Sequence, residues 1–120
     1  MSQTNESAPG GGAAAPTTFT AREGTPPGTW ILSVAGEIDV ATSPQLRDEL
    51  HQLIDQGATG IVIDLSATTF MDSSGLGVLV GLLRRSREQG SGDALVLEGL
   101  QEPVRKVFEI TGLNNVFTIR

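Results

Sequence analysis

The sequence predicts an α/β fold, a single domain with a mixed four- to five-stranded sheet and helices packed against it. Three observations carry that prediction. Short apolar runs of strand character, Trp30–Ala35, Ile61–Leu65 and Ala94–Leu97, alternate with longer segments of helical period. Gly, Pro, Ser and Asp clusters punctuate the chain between them. The length, 120 residues, supports one domain with a real core.

The elements follow in order. Residues 1–18 are rich in Ala, Gly, Pro, Ser and Thr and hold no Leu, Ile, Val or aromatic residue. Such a segment cannot bury enough apolar surface to offset its ordering entropy, so it reads as a flexible low-complexity tail ahead of a domain over 19–120. Deleting residues 2–16 should therefore leave the melting temperature nearly unchanged. A loss of several degrees would show that the tail packs on the domain.

Phe19 to Glu23 fits an edge strand, and Gly24-Thr25-Pro26-Pro27-Gly28 a turn. In Trp30 to Ala35, Trp30, Leu32 and Val34 alternate with Ile31 and Ser33, the pattern of a strand. Ser43 is the expected cap of a first helix, with Pro44 at its first position and Gly57 at its end. Leu46, Leu50, Leu53 and Ile54 form its apolar stripe. Ile61 to Leu65 is continuously apolar up to Asp64, as in strands buried on both faces. A second helix is expected from Ser74 to about Gln89, followed by a turn at Gly90-Ser91-Gly92-Asp93. Ala94 to Leu97 is the next strand. A third helix over Glu102 to Thr111 carries Val104, Val107, Phe108 and Thr111 on one face and stops at Gly112. Val116 to Ile119 fits a last strand.

The second helix is apolar on two sides. Leu76, Leu79, Val80 and Leu83 share a face that suits the sheet. Val78 and Leu82 point elsewhere, flanked by Gly77 and Gly81. Either a neighbouring helix, such as the third, covers them, or a partner docks there against the bare backbone of the two glycines.

Ahead of that helix lies Met71-Asp72-Ser73-Ser74-Gly75-Leu76-Gly77, with two hydroxyls and a carboxylate at a helix N-terminus. Unpaired N–H groups and the macrodipole favour negative charge there, so these residues suit capping or a phosphorylation switch. Physics alone does not choose between Ser73 and Ser74. Asp39 lies in a loop before the first helix. It either supports its own turn or joins the serines where loop ends gather along one sheet edge.

Phe70-Met71-Asp72-Ser73-Ser74-Gly75-Leu76-Gly77 resembles the signature of the STAS domain, the anti-sigma factor antagonist family. Gly36-Glu37-Ile38-Asp39-Val40-Ala41-Thr42 resembles the family's other recurring block, in the same order and spacing. The likeness runs from about Phe19 to Arg120. The resemblance implies an antagonist whose unphosphorylated form binds an anti-sigma factor, usually a serine kinase, and so releases a sigma factor. It implies phosphorylation at Ser73, reversed by a phosphatase acting on phospho-Ser73. It also implies a partner contact by Asp39 near Ser73. Asp72, Ser74 and Gly75 in the motif, with Gly77, Val78, Gly81 and Leu82 on the two-sided helix, are the other expected partner-binding residues. The alternatives are a STAS scaffold subunit of a stress-sensing complex and a cytoplasmic partner of a transporter.

Other chemistry finds little support. Eight Lys plus Arg against fourteen Asp plus Glu leave a formal charge of −6, which opposes nucleic-acid binding. Arg84, Arg87 and the intervening Arg85 are the densest basic group, and suit a helix C-terminus. Cysteine is absent, which fits a reducing compartment and excludes thiol catalysis and disulfides. No apolar run suits membrane insertion and no leader pattern is visible, so the expected location is cytoplasmic. His51 is the only histidine, expected to face solvent, and no nucleophile–base pair, metal-ligand set or cofactor fingerprint accompanies it. The chain reads as a binding module and not as an enzyme.

Overall fold

The computed structural model describes residues 16–90 and 95–120. The tail expectation, apart from its last three residues, and most of the turn after the second helix lie outside them. The element order is β1 (Thr18–Glu23), β2 (Thr29–Ile38), α1 (Ser43–Asp55), β3 (Gly60–Met71), α2 (Ser73–Glu88), β4 (Leu95–Glu98), α3 (Glu102–Thr111), a 3-10 turn (Leu113–Asn115) and β5 (Thr118–Ile119). The sheet runs β1-β2-β3-β4-β5. β1 is antiparallel to β2, and every later pair is parallel.

This topology decides where the helices lie. Each parallel crossover steps to the next strand in the same direction, and such crossovers are right-handed. All three helices therefore cover one face of the sheet. Burial alternates accordingly. Leu32, Val34, Ile61, Ile63, Leu65, Leu95 and Leu97 are buried with Leu46, Leu50, Leu76, Leu79, Val104 and Phe108 in one core. Ile31, Ser33, Val62, Asp64 and Val96 sit half-buried on the other face. The expectation that Ile61 to Leu65 is buried on both sides is corrected: one-directional crossovers leave no helix for the second face.

Two strands outrun their sequence patterns. β2 continues through Gly36 to Ile38, and β3 continues through Thr68 to Met71. Their register shifts between Ser33 and Ala35, which pair with Asp64 and Ala67, and again between Gly36 and Glu37, which pair with Thr68 and Phe70, so β3 carries an extra residue at each place. The first irregularity breaks the alternation. It also brings Thr68 into the core, where its Oγ1 donates to the Val34 carbonyl at 2.8 Å.

α1 begins one residue differently from the expectation. Thr42 holds the cap position, and Ser43 is already helical and buried. The Asp39–Thr42 turn engages the Thr42 hydroxyl, whose Oγ1 accepts from Asp39 N at 2.9 Å and donates to the Glu37 carbonyl at 3.0 Å. α2 starts at Ser73, one residue early, and α3 has the expected bounds with Gly112 at φ 76° as its left-handed stop.

α1 and α2 are in direct contact. Arg85 spans them, donating to His51 Nδ1 at 2.7 Å and to Asp55. His51 is thus half-buried between the helices, not solvent-facing. Burial, then Arg85, then Arg47 holds its pKa below the usual imidazole value.

Candidate functional site

The C-terminal ends of β2 and β3 place the site. Ile38 pairs with Met71, and the Asp72 amide donates to the Ile38 carbonyl at 3.1 Å. Asp39 and Asp72, each one residue further, therefore leave neighbouring strand ends, which lie about 4.8 Å apart in a sheet. The loop into α1 and the N-terminus of α2 share that edge.

Asp72 is the cap of α2. Its Oδ1 accepts from Ser74 N at 2.9 Å and Gly75 N at 3.4 Å, and the Ser74 hydroxyl donates to the same oxygen. The hydroxyl bond from Ser74, then the amide bonds, hold the Asp72 carboxyl below the usual carboxylate range. The stabilising effect of this cap is thus present above the ordinary carboxylate pKa and is lost as pH falls through the lowered folded value. An NMR titration should find Asp72 ionising below the usual carboxylate range, and Ser74→Ala should move it back up. An unchanged Asp72 titration in Ser74→Ala would remove the hydroxyl as the main cause.

The two serines are consequently unlike. Ser74 is half-buried, and its hydroxyl is committed to Asp72. Ser73 is exposed, and among the described residues no hydrogen bond engages its hydroxyl. A charge added at Ser73 meets solvent and the first turn of the helix. One added at Ser74 displaces the cap.

Asp39 serves its own turn, its Oδ1 accepting from Ala41 N at 2.9 Å and Thr42 N at 3.1 Å. It remains half-exposed at the edge that carries Ser73. Both readings of this residue are compatible with that geometry.

Gly77 is exposed, Gly81 is half-exposed, and open space lies where a Cβ would stand at either. Val78 is half-buried. Gly75 and Leu82 are corrected as partner contacts. Leu82 is fully buried, on the side of α2 shared with Arg85, which meets α1 and not the third helix. Gly75 is buried because α2 crosses close over the ends of β2 and β3. A Cβ there would stand 2.7 Å from Ile38 Cγ2 and 2.8 Å from Met71 Cγ.

Gly75→Ala gains helix propensity of about 1 kcal/mol but overpacks the core by about 1–3 kcal/mol. The stiff Ile38 side chain cannot move aside, so we expect a net loss and a melting temperature several degrees lower. A melting temperature at or above the wild type would show that the strand ends yield.

Two exposed apolar side chains beside this edge went unremarked in the sequence. Val40, 75% exposed, follows Asp39, and Phe70, 45% exposed, precedes Met71. Both lie within the matching blocks, and the available signal was an apolar side chain in a turn and one at a strand end without a covering helix. Among the described residues no three His, Cys, Asp or Glu side chains converge as a metal site, and no helix is long and apolar enough to cross a membrane.

Fold and site together define a one-sheet α/β module that presents an exposed hydroxyl on a capped helix N-terminus. The chain belongs to the STAS-domain family, whose family model matches residues 22–120. It is 43% identical over 88 residues to the anti-sigma-B factor antagonist of Bacillus subtilis (strain 168), covering 73% of this chain and 78% of that one. Its fold is similar to that of an anti-sigma factor antagonist from Mycobacterium paratuberculosis, with a TM-score of 0.76, 28% identity and 89% of each chain covered. It is also similar to the anti-sigma factor antagonist SpoIIAA in its unphosphorylated form, with a TM-score of 0.71 and 30% identity over 86% of this chain and 88% of that one. The phosphorylated form of SpoIIAA, a Bacillus cell fate determinant, matches with a TM-score of 0.66 and 29% identity over 86% of this chain and 91% of that one. These relatives are regulators.

Proposed function

We propose that this chain is an anti-sigma factor antagonist switched by phosphorylation at Ser73. The unmodified form binds an anti-sigma factor that is itself a serine kinase, and the bound sigma factor is released. Phosphate transferred to Ser73 ends that binding, and a phosphatase restores it. The observation that carries this reading is the inequality of the two hydroxyls: Ser73 is exposed at the N-terminus of α2, whereas Ser74 is held against Asp72. Identity to a named antagonist supports the partner class. The existence of a phosphorylated form of a relative of this fold supports the switch.

The contact surface then comprises Asp39, Asp72, Ser73 and Ser74 at the sheet edge, continued by Gly77, Val78 and Gly81 along α2. The chain acts as substrate and binding module, working in the cytoplasm with its sigma factor. The test is reconstitution with the purified anti-sigma factor and ATP. The unmodified chain should displace sigma factor from the anti-sigma factor, and mass spectrometry should locate the incorporated phosphate on Ser73. Phosphate on Ser74 alone would refute the acceptor assignment, and failure to displace sigma factor would refute the antagonist reading.

A further inference from the structure

α2 is packed unequally against its neighbours. Its Leu82 and Arg85 side meets α1 closely. On the opposite side a cleft of about 370 Å³ separates it from the segment joining α3 to β5. Val80, Leu83 and Val116 line the cleft, and Arg84, Arg87 and Glu88 form its charged rim. Val116 is 42% exposed there. Arg84 and Arg87 are exposed, and neither pairs with a carboxylate among the described residues.

The arginines of the cleft rim share a line of α2 with Ser73. At 3.6 residues per turn, Ser73, Gly77, Arg84 and Arg87 fall within about 40° of one line along α2. Ser73 and Arg84 are about 16 Å apart along the axis at 1.5 Å per residue. A partner surface of standard size, roughly 800 Å² per side, reaches both. Two arginines on one exposed helix face also stand out in a chain of formal charge −6.

We propose that this cleft receives an acidic amphipathic segment of the anti-sigma factor, seating one apolar side chain between Val80 and Val116 with carboxylates facing Arg84 and Arg87. The inference rests on the antagonist reading above and names a second contact of the same partner. The open backbone at Gly77 lets the segment pass close to α2 on its way from Ser73. The Glu88 carboxylate at the same rim sets the register, because a partner acid beside it would be repelled.

The test compares three proteins for binding to the purified anti-sigma factor: wild type, Arg84→Glu/Arg87→Glu, and Val116→Trp. Reversing both charges should weaken binding by about tenfold or more, chiefly through a slower association that loses its salt dependence. Filling the cleft with Trp should weaken it mainly through faster dissociation. Arg84→Gln/Arg87→Gln should fall between the Glu pair and wild type. Thermal melts of each free protein should stay close to wild type, because the changed positions are exposed. If wild type binds and the Glu pair binds as tightly, the cleft inference is overturned and the antagonist reading stands. If wild type binds no anti-sigma factor, both fall.

Discussion

Leu82→Glu should leave the domain largely unfolded at ambient temperature. Leu82 has no exposed surface and lies where α2 meets α1. Truncating such a leucine alone costs about 2–5 kcal/mol. A carboxylate in its place adds a desolvation penalty of several kcal/mol, which the group escapes only by taking a proton. Arg85, on the same side of α2, is already bound to His51 and Asp55 and could pair with the new carboxylate only by giving those partners up. A domain of this size has about 5–15 kcal/mol of total stability. The sum therefore approaches or exceeds the whole. Val78→Glu, at a half-buried position one turn earlier, should cost much less because its head group can reach water. Urea and thermal melts of the two free variants decide the ranking. A Leu82→Glu midpoint within a few degrees of wild type would mean that this side of α2 does not face α1.

The same residue shows where sequence reading stops. Periodicity identifies Val78 and Leu82 as a second apolar side of α2, but it cannot say whether a helix or a partner covers that side. The choice depends on how closely α1 approaches, and that is set by the sheet's crossover direction and by Arg85 reaching His51. α3 was legible to the residue because its signals are local: an apolar stripe and Gly112 at the stop. β3 was legible only to Leu65. Beyond it, the extra residues that shift the register hide the alternation, and Thr68 is buried through a bond to Val34 on another strand. The site was legible as a motif and not as chemistry. Ser73 and Ser74 are neighbours of the same type, and what separates them is the direction of the Asp72 carboxylate, which no pattern in the sequence records.

Phosphorylation at Ser73 should weaken binding to the anti-sigma factor by about a hundredfold or more while the domain stays folded. The phosphate adds roughly −1.5 to −2 charges with three acceptor oxygens. Within the protein that charge is tolerated. It sits on the first residue of α2, where unpaired N–H groups and the helix dipole offset repulsion by Asp72. The core beneath holds Gly75, Leu76 and Met71 and is not entered. The melting temperature should thus shift by a few degrees at most. At an interface the balance reverses. Closing a partner over Ser73 removes water from the phosphate, and it also brings the phosphate against any acidic group of the partner. Each like-charge contact costs several kcal/mol, and each 1.4 kcal/mol is a factor of ten in affinity. Ser73→Ala should take no phosphate and keep its affinity, acting as a permanently active antagonist. Ser73→Asp should weaken binding less than phosphate does, because it carries a single charge closer to the backbone. Calorimetric titration of the four forms against the anti-sigma factor gives the ordering directly: wild type and Ser73→Ala tightest, Ser73→Asp between, phosphoprotein weakest. A phosphoprotein that binds as tightly as wild type would exclude Ser73 as the switch, because its exposed position at the centre of the contact leaves a buried phosphate nowhere to go.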